Sequence, residues 1–312
     1  MSSLDDADVL GALDQALVGR RRELELLVAA LVADRHVLLE GPPGTGKSTM
    51  LREVAAAAGT GFVFVEGNAE LTPARLAGQF DPSRVLDQGY TADVFVDGPL
   101  VEALRAGALL YVEELNRVPE ETVNLLISVM SEGALHLPRL GAIAAAPGFR
   151  LVAAMNPFDT VGTARVSGAV YDRMCRLAMG YQSTEDEAAI VTRRAVSVNE
   201  RLQRRAVLVT RGTRRHPDVR VGSSVRGAID LVEVAARLAG IRGLPVEDPE
   251  VGLDAALVAL SGRIRLHEGG DTTPEDVIRE LWAQVLAAEQ PPAGDDDPGK
   301  APAPEGADPA RR

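Results

Sequence analysis

Short, continuous apolar runs alternate with longer amphipathic stretches over the first two thirds of the chain. Five of these runs have the length of strands, at residues 36–40, 62–65, 108–112, 150–154 and 176–179. Because the runs are continuously apolar and do not alternate with polar residues, we expect strands that are covered on both faces. The helical stretches between them predict an α/β fold with a parallel sheet.

The pattern changes after about residue 183, where apolar residues recur at helical spacing. Four stretches are then typical of helices, at residues 184–211, 224–238, 253–266 and 274–288. Ser223 or Ser224 is a candidate N-cap for the second helix, and Thr273-Pro274 with Asp276 is a typical start for the last. A small all-helical unit therefore follows the α/β unit.

We divide the chain into an α/β core at residues 1–211, a helical unit at 212–290 and a tail at 291–312. The tail holds six of the 19 prolines and no apolar residue larger than Ala or Pro. It cannot bury enough surface to offset the entropy lost on ordering, so we expect it to be disordered. A solubilising role is favoured over that of a partner tether.

The turn after the first apolar run has the composition of a phosphate-binding loop. Its sequence is Gly41-Pro42-Pro43-Gly44-Thr45-Gly46-Lys47-Ser48, and Thr49 begins a helix-compatible run. Glycines let successive backbone N–H groups turn inward around phosphates, Lys47 is expected to reach the β- and γ-phosphates, and Ser48 is expected to bind Mg²⁺. The positive end of the following helix faces the same charge. We therefore predict an ATP and Mg²⁺ site at residues 41–49.

Two carboxylates, Glu113 and Glu114, end the third apolar run. A carboxylate pair at this place after a P-loop is typical of a Walker-B arrangement. We expect Glu113 to hold Mg²⁺ and Glu114 to polarise the attacking water as general base. The alternative is a solvated acidic loop.

Further polar residues follow the later strands at positions suited to a phosphate site. Asn156 ends the fourth run and could orient the attacking water, although Asn-Pro also simply ends strands. Arg173 precedes the fifth run and Arg226 begins a helix of the helical unit. Arginine is always charged and can bind a phosphate through two donors. From spacing alone, surface ion pairs remain the favoured alternative for both arginines.

The amino-acid composition excludes or disfavours several classes of function. The chain has 33 basic and 45 acidic residues, a net charge of −12, which disfavours wholesale nucleic-acid binding. Cys175 is the single cysteine, which favours a reducing compartment and excludes a thiolate metal cluster. The acidic N-terminus does not have the pattern of a signal peptide, and no apolar run approaches the length of a membrane span. We therefore expect a cytoplasmic protein without a membrane span.

One local cluster runs against the acidic balance. Between Arg193 and Arg220 there are nine arginines and two acids, with no aromatic residue among them to stack on bases. A subunit interface or a solvated helix face is favoured over a nucleic-acid site.

The ordered set of motifs resembles the MoxR family of AAA+ ATPases, and within it the CoxD-like branch. The resemblance covers roughly residues 15–285 and rests on the P-loop, on Phe95-Val96-Asp97-Gly98-Pro99-Leu100, on Leu110 to Arg117, on Ala154-Met155-Asn156-Pro157, on Tyr171-Asp172-Arg173, on His216-Pro217-Asp218-Val219 and on Gly222 to Arg226.

That resemblance implies a five-stranded AAA+ core with a helical lid. It also implies that Asn156 is the sensor-1 residue, that Arg173 is an arginine finger acting on the neighbouring subunit, and that Arg226 is the sensor-2 arginine. A finger in trans implies a ring, expected to be a hexamer. The family commonly works beside a protein with a von Willebrand factor A domain, and it remodels client proteins or inserts metal into them. A metalloenzyme is therefore an expected client.

The chain departs from the family pattern at two positions. The first Walker-B carboxylate is usually Asp, and here it is Glu113. We expect Glu113 still to bind Mg²⁺, with slower turnover as a consequence to be tested. Val225 stands where the family usually has Pro, a change that matters less because either residue can begin a helix.

Two segments are candidate client or partner surfaces. Residues 68–93 follow the second apolar run, and residues 132–148 include a candidate hairpin at residues 137–141. A purely structural hairpin is the alternative.

The sequence thus favours an ATPase that remodels a client protein. The second hypothesis is a nucleotide-dependent assembly switch or scaffold with incidental turnover, kept open by Glu113. The third, less favoured, is an AAA+ protein that remodels DNA.

Overall fold

The computed structural model of the protein describes residues 7–157, 166–195 and 199–289. The predicted disordered tail at 291–312 lies outside the described residues, as does the stretch 196–198 within the helix expected at 184–211.

Within the described residues the α-helices, in chain order, are α1 Ala7–Ala16, α2 Arg21–Val32, α3 Lys47–Ala57, α4 Pro73–Ala77, α5 Pro82–Gln88, α6 Pro99–Ala106, α7 Glu120–Glu132, α8 Gly168–Arg173, α9 Thr184–Arg194, α10 Glu200–Thr213, α11 Val225–Arg242, α12 Pro249–Leu260 and α13 Pro274–Glu289.

The strands of the same residues are β1 His36–Glu40, β2 Phe62–Glu66, β3 Gly78–Phe80, β4 Phe95–Asp97, β5 Leu109–Glu113, β6 Ala134–Leu137, β7 Gly141–Ala144, β8 Arg150–Met155, β9 Met174–Ala178, β10 Val219–Val221 and β11 Arg265–Leu266.

The predicted strands form one five-stranded sheet in the order β2-β5-β8-β1-β9. Every neighbouring pair in this sheet is parallel, which confirms the predicted fold class. In a parallel sheet the carboxyl ends of the strands share one edge. The residues that follow β1, β5 and β8 are therefore brought to that edge together.

Both faces of the sheet are covered, as the continuous apolar runs predict. Along β5, Leu110 and Val112 enter a core formed with helices α4, α6 and α7, whereas Leu109 and Tyr111 enter a second core formed with α1, α2 and α3. None of these four side chains is exposed to solvent. A strand with two buried faces has no position for a polar residue, which accounts for its sequence.

The helices from α9 onwards build a core of their own. It is rich in Ala, Val and Leu and includes Leu202, Leu231 and Trp282. The boundary expected between residues 211 and 212 falls in the last turn of α10, and α10 packs with the helices that follow it. The change of pattern near residue 183 therefore lies closer to the start of this core than residue 211 does.

Two of the expected helices differ from those observed. The stretch 184–211 contains α9 and α10, and α10 starts where the Asn199 side chain accepts a hydrogen bond from the Leu202 N–H. The helix expected at 253–266 begins earlier, because Asp248 caps α12 by accepting from the N–H groups of Glu250 and Val251. It ends at Leu260, and a short 3-10 turn and β11 follow.

The other terminal signals have mixed outcomes. Ser224 occupies the N-cap position of α11 but its side chain makes no capping bond. At the last helix, Thr273 Oγ1 accepts from the Asp276 N–H while Asp276 accepts from the Thr273 N–H, a reciprocal cap that fits the sequence signal. In the described part of the chain, no helix has both the length and the apolar character to cross a membrane.

Candidate nucleotide site

The P-loop connects β1 to α3 in the way its sequence predicts. Gly44 and Gly46 have φ values of 73° and 86°, which lie in the left-handed region that residues other than glycine rarely adopt. α3 begins at Lys47, so its positive end faces the loop. The Lys47 ammonium is buried and donates to the carbonyl oxygens of Gly41 and Pro42, both at 3.0 Å. Burial lowers the pKa of Lys47.

A direct contact joins the P-loop to the end of β5. Ser48 Oγ donates to Glu113 Oε1 at 2.9 Å, and it lies 3.3 Å from the Tyr111 hydroxyl. The glutamate side chain that stands in place of the usual aspartate thus reaches the serine. Tyr111 is fully buried, and burial raises its pKa, so its hydroxyl stays protonated.

Glu114 lies beside Glu113 in an unusual backbone conformation. Its φ of 53° and ψ of 44° are left-handed, a region in which residues other than glycine are uncommon and that recurs at functional sites. Its carboxylate is 3.2 Å from Arg117 Nη1. Glu114 and Glu113 line a cavity shared with Glu66, Arg226 and P-loop residues 43–49.

Asn156 follows β8, the strand that lies between β5 and β1. Its position is therefore between the Walker-B end of β5 and the P-loop that follows β1. The residue is half-buried, and its carbonyl oxygen accepts from Asn116 Nδ2 at 3.4 Å.

The start of α11 reaches the P-loop from the helical unit. Arg226 is exposed and lines the same cavity as Lys47 and Glu114. The approach is close, because a Cβ atom added at Gly44 would lie 2.2 Å from Ser224 Oγ. The two units thus meet at the loop, which brings Arg226 to the site that its sequence position suggested.

Two candidates outside the P-loop do not line this cavity: Asn156, which follows the adjacent strand β8, and Arg173. Arg173 ends α8, where its Nε donates to Ser131 Oγ at 2.5 Å and its Nη1 donates to the Ala169 carbonyl at 3.1 Å. It is not among the residues that line the P-loop cavity. Any role at a nucleotide requires another subunit.

Sequence reasoning missed Arg20. Its side chain is almost fully buried, and Nη2 donates to the carbonyl oxygens of Thr45 at 2.9 Å and Gly180 at 2.7 Å. It therefore ties the P-loop backbone to the chain that leaves β9. A lone arginine before a helix carries no sequence signal for such a contact, because Gly180 is 160 residues away along the chain.

A second cavity of about 380 Å³ adjoins the first. The two share Gly44, Thr45, Gly46, Thr49 and Arg226. The second cavity is bounded by the turn after α1, by Gln182 and by helices α9 and α11. It has the position and volume to hold the rest of a nucleotide whose phosphates lie in the P-loop.

The donor set of the first cavity suits Mg²⁺. Ser48 and Glu113 offer a hydroxyl and a carboxylate oxygen, the hard ligands that this ion prefers. Among the described residues, no group of three or more His, Cys, Asp and Glu side chains could hold a metal. Mg²⁺ usually takes one or two carboxylates and completes its shell with phosphate oxygens and water, so the residues fit an ion that arrives with a nucleotide.

Fold and site together have counterparts among known proteins. Residues 36–174 match the family model for the AAA domain (dynein-related subfamily). The structure of a mutant of RuvB from Thermotoga maritima superposes with a TM-score of 0.55 at 20% identity, over 79% of this chain and 72% of that one. The protein is therefore an ATP-hydrolysing enzyme with an AAA domain at residues 36–174.

Its relatives define the type more closely. The chain is 34% identical to the gas vesicle ATPase GvpN2 of Halobacterium salinarum over 177 residues, which is 52% of each chain. It is 29% identical to GvpN1 of the same organism over 271 residues, 81% of this chain and 68% of that one. YeaC of Bacillus subtilis, an uncharacterised protein, is 26% identical over 306 residues, 88% of this chain and 92% of the relative. The chain is thus similar to AAA+ ATPases of the MoxR/GvpN type.

Proposed function

We propose that ATP hydrolysis in a ring of these subunits, a hexamer, drives the remodelling of a client protein or the maturation of its metal centre. The observation that carries the proposal is the 2.9 Å hydrogen bond from Ser48 of the P-loop to Glu113 of β5, beside Glu114. It joins the phosphate-binding loop to the carboxylates needed to turn a bound nucleotide over. The CoxD-like branch, and a metalloenzyme as client, rest on the resemblance of the motifs alone.

The candidate residues have the following chemical roles in this proposal. Lys47 and the backbone N–H groups of residues 44–48 bind phosphate oxygens, and Ser48 with Glu113 holds Mg²⁺. When bound, the ion neutralises charge on the phosphates. Glu114 accepts a proton from the attacking water, which Asn156 orients. Arg226 contacts the bound nucleotide from α11, because it lines the cavity, and so links the nucleotide to the helical lid.

Arg173 completes the site of the next subunit. Its side chain is about one third exposed and lies outside its own cavity. An arginine that reaches the transferring phosphate from another subunit accelerates phosphoryl transfer by roughly 10³–10⁵. This role requires a ring in which every interface holds one nucleotide.

The two segments proposed as client surfaces lie against each other. The Arg139 guanidinium lies 3.7 Å from the ring centroid of Tyr90, a contact between the turn of the β6–β7 hairpin and the loop after α5. Leu86 and Val96 are 87% and 55% exposed in the same region. We propose that this joint surface contacts the client, and that a protein with a von Willebrand factor A domain assists at the ring.

The alternatives lose support at specific residues. An assembly switch with little turnover depended on Glu113 being badly placed, yet its carboxylate reaches Ser48. DNA remodelling would need free basic groups. Four arginines of the segment 193–220 instead pair with carboxylates inside the helical unit: Arg201 and Arg205 with Glu289, and Arg211 and Arg214 with Glu187.

Glu114→Gln tests the proposal. The amide keeps the size of the side chain but cannot accept the proton, so ATP should bind with unchanged affinity while turnover falls by about a hundredfold or more. Affinity capture with this variant in ATP should retain partner and client together. Glu120→Gln, an exposed carboxylate at the start of α7, is the matched control. Unchanged turnover in Glu114→Gln contradicts the mechanism, and capture no different from that of the control contradicts the client role.

A further inference from the structure

A buried carboxylate precedes the P-loop and takes no part in the mechanism above. Glu40 is the last residue of β1, and its side chain is 4% exposed. Its Oε1 accepts from the Tyr171 hydroxyl at 2.8 Å, and its Oε2 accepts from Arg176 Nε. Both partners are more than 130 residues away along the chain.

The two partners satisfy the Glu40 charge in different ways. Arg176 neutralises it from the neighbouring strand β9, while Tyr171 adds a hydrogen bond from α8. Hydrogen bonds to an ionised group are roughly twice as strong as neutral ones. Partial burial and the bond to Glu40 raise the pKa of Tyr171 to about 12, so the hydroxyl remains a donor at physiological pH.

Helix α8 has few other anchors. It is six residues long, far below the length at which a helix is stable alone, and Val170 is its one buried residue. Arg173, at its end, bonds to Ser131 of α7. Burial of Val170 fixes the position of α8, and the polar contacts of Tyr171 and Arg173 fix the rotation of the helix about its axis.

Glu40 is also continuous with the P-loop. Its carbonyl oxygen accepts from the Met179 N–H at 2.7 Å, and the next carbonyl, of Gly41, accepts from the Lys47 ammonium. A movement of Lys47 towards a phosphate changes its bond to Gly41. One residue therefore contacts both the start of the phosphate loop and the helix that bears Arg173.

We propose that Glu40 is a positioning residue for Arg173. Through Tyr171, Glu40 sets the orientation of α8 at the surface that faces the next subunit. Glu40 thereby couples the P-loop of its own subunit to the nucleotide site of the next subunit, which Arg173 completes. This inference rests on the proposed role of Arg173 in trans. It goes further by naming the contact that links two successive nucleotide sites.

Tyr171→Phe in the full-length protein tests the link. It removes one hydroxyl and leaves Glu40 paired with Arg176, so the carboxylate keeps a partner and the fold is preserved. We expect kcat for ATP to fall about tenfold, with ATP affinity unchanged and the melting temperature lowered by no more than a few degrees. Tyr181→Phe is the matched control: the same atom is removed from a half-buried tyrosine that packs under Arg214.

A double-mutant cycle with Arg173→Ala separates positioning from a general structural role. If Tyr171 acts through Arg173, Tyr171→Phe changes single-turnover hydrolysis no further once Arg173 is absent. An equal fall with and without Arg173 overturns the inference and leaves the proposed function standing, as does wild-type turnover in Tyr171→Phe. Unchanged turnover in Arg173→Ala overturns both.

Discussion

At the scale of single residues, the proposed hydrolysis depends on Glu113. Its carboxylate bonds to the Ser48 hydroxyl, and it is the protein ligand we assign to Mg²⁺ together with that serine. A substitution at Glu113 that removes the charge but keeps the size of the side chain therefore changes the chemistry of the site without changing its shape.

Glu113→Gln should lower turnover while the protein stays folded. The amide oxygen can still accept from Ser48, but the negative charge is lost. We expect kcat to fall about ten- to hundredfold and the Mg²⁺ concentration for half-maximal rate to rise, because one charged contact is worth about 1.5–3 kcal/mol. Steady-state ATPase rates across a Mg²⁺ titration measure both quantities.

The matched control is Glu53→Gln, an exposed carboxylate on α3. It should leave the Mg²⁺ titration unchanged. A Glu113→Gln enzyme with the same rate and the same Mg²⁺ requirement as the wild type would contradict the assignment of Glu113.

Sequence was sufficient for residues that belong to local motifs. Lys47 and Ser48 end the loop that follows one predicted strand, Glu113 and Glu114 lie at the end of another, and all four line one cavity. Glu40 escaped notice because its role depends on Tyr171, whose place beside β1 follows from the folded sheet and from no local pattern.

At the scale of elements, the strands were predictable and the helix ends less so. The residues of β5 before Glu113 are buried on both faces of the sheet, so they form an apolar run that stands out in the sequence. The starts of α10 and α12 depend on single capping side chains, Asn199 and Asp248, that resemble any polar loop residue. A prediction from helical spacing alone therefore merged α9 and α10 into one helix and placed the start of α12 too late in the chain.

Two helix glycines should respond in opposite directions to alanine. A Cβ atom at Gly252 of α12 would lie 2.3 Å from Cζ2 of Trp282, so Gly252→Ala should destabilise the helical unit by about 1–3 kcal/mol. Gly240 of α11 has nothing within 4 Å, so Gly240→Ala should stabilise it by about 0.5–1 kcal/mol.

Urea unfolding followed by tryptophan fluorescence measures this pair. Trp282 is the chain's one tryptophan and is buried in the helical core, so its emission reports the unfolding of that unit. If Gly252→Ala left the midpoint unchanged or raised it, the packing of α12 on α13 would be wrong.

At the scale of the whole molecule, two units meet across the phosphate loop. The sheet supplies Lys47, Glu113 and Glu114, while the helical unit supplies Arg226 from α11. A nucleotide in this cavity would touch both units, so binding and hydrolysis can change their relative position. Such a change is the motion that a remodelling enzyme needs.

The same molecule holds Arg173 away from its own cavity, on the short helix α8. The sequence placed this arginine beside the last strand of the sheet, but only the fold separates it from the P-loop. We therefore propose that each active site combines Lys47 of one subunit with Arg173 of the next.

Mixing two impaired variants tests that claim most directly. Lys47→Ala should not bind ATP, and Arg173→Ala should bind ATP with normal affinity but hydrolyse it only at a residual rate, lower by roughly 10³ or more. In mixed rings, some sites pair an intact P-loop with an intact Arg173, so ATPase activity should partly return and peak near equal proportions. If activity at every ratio equals the sum of the separate variants, the shared site is contradicted.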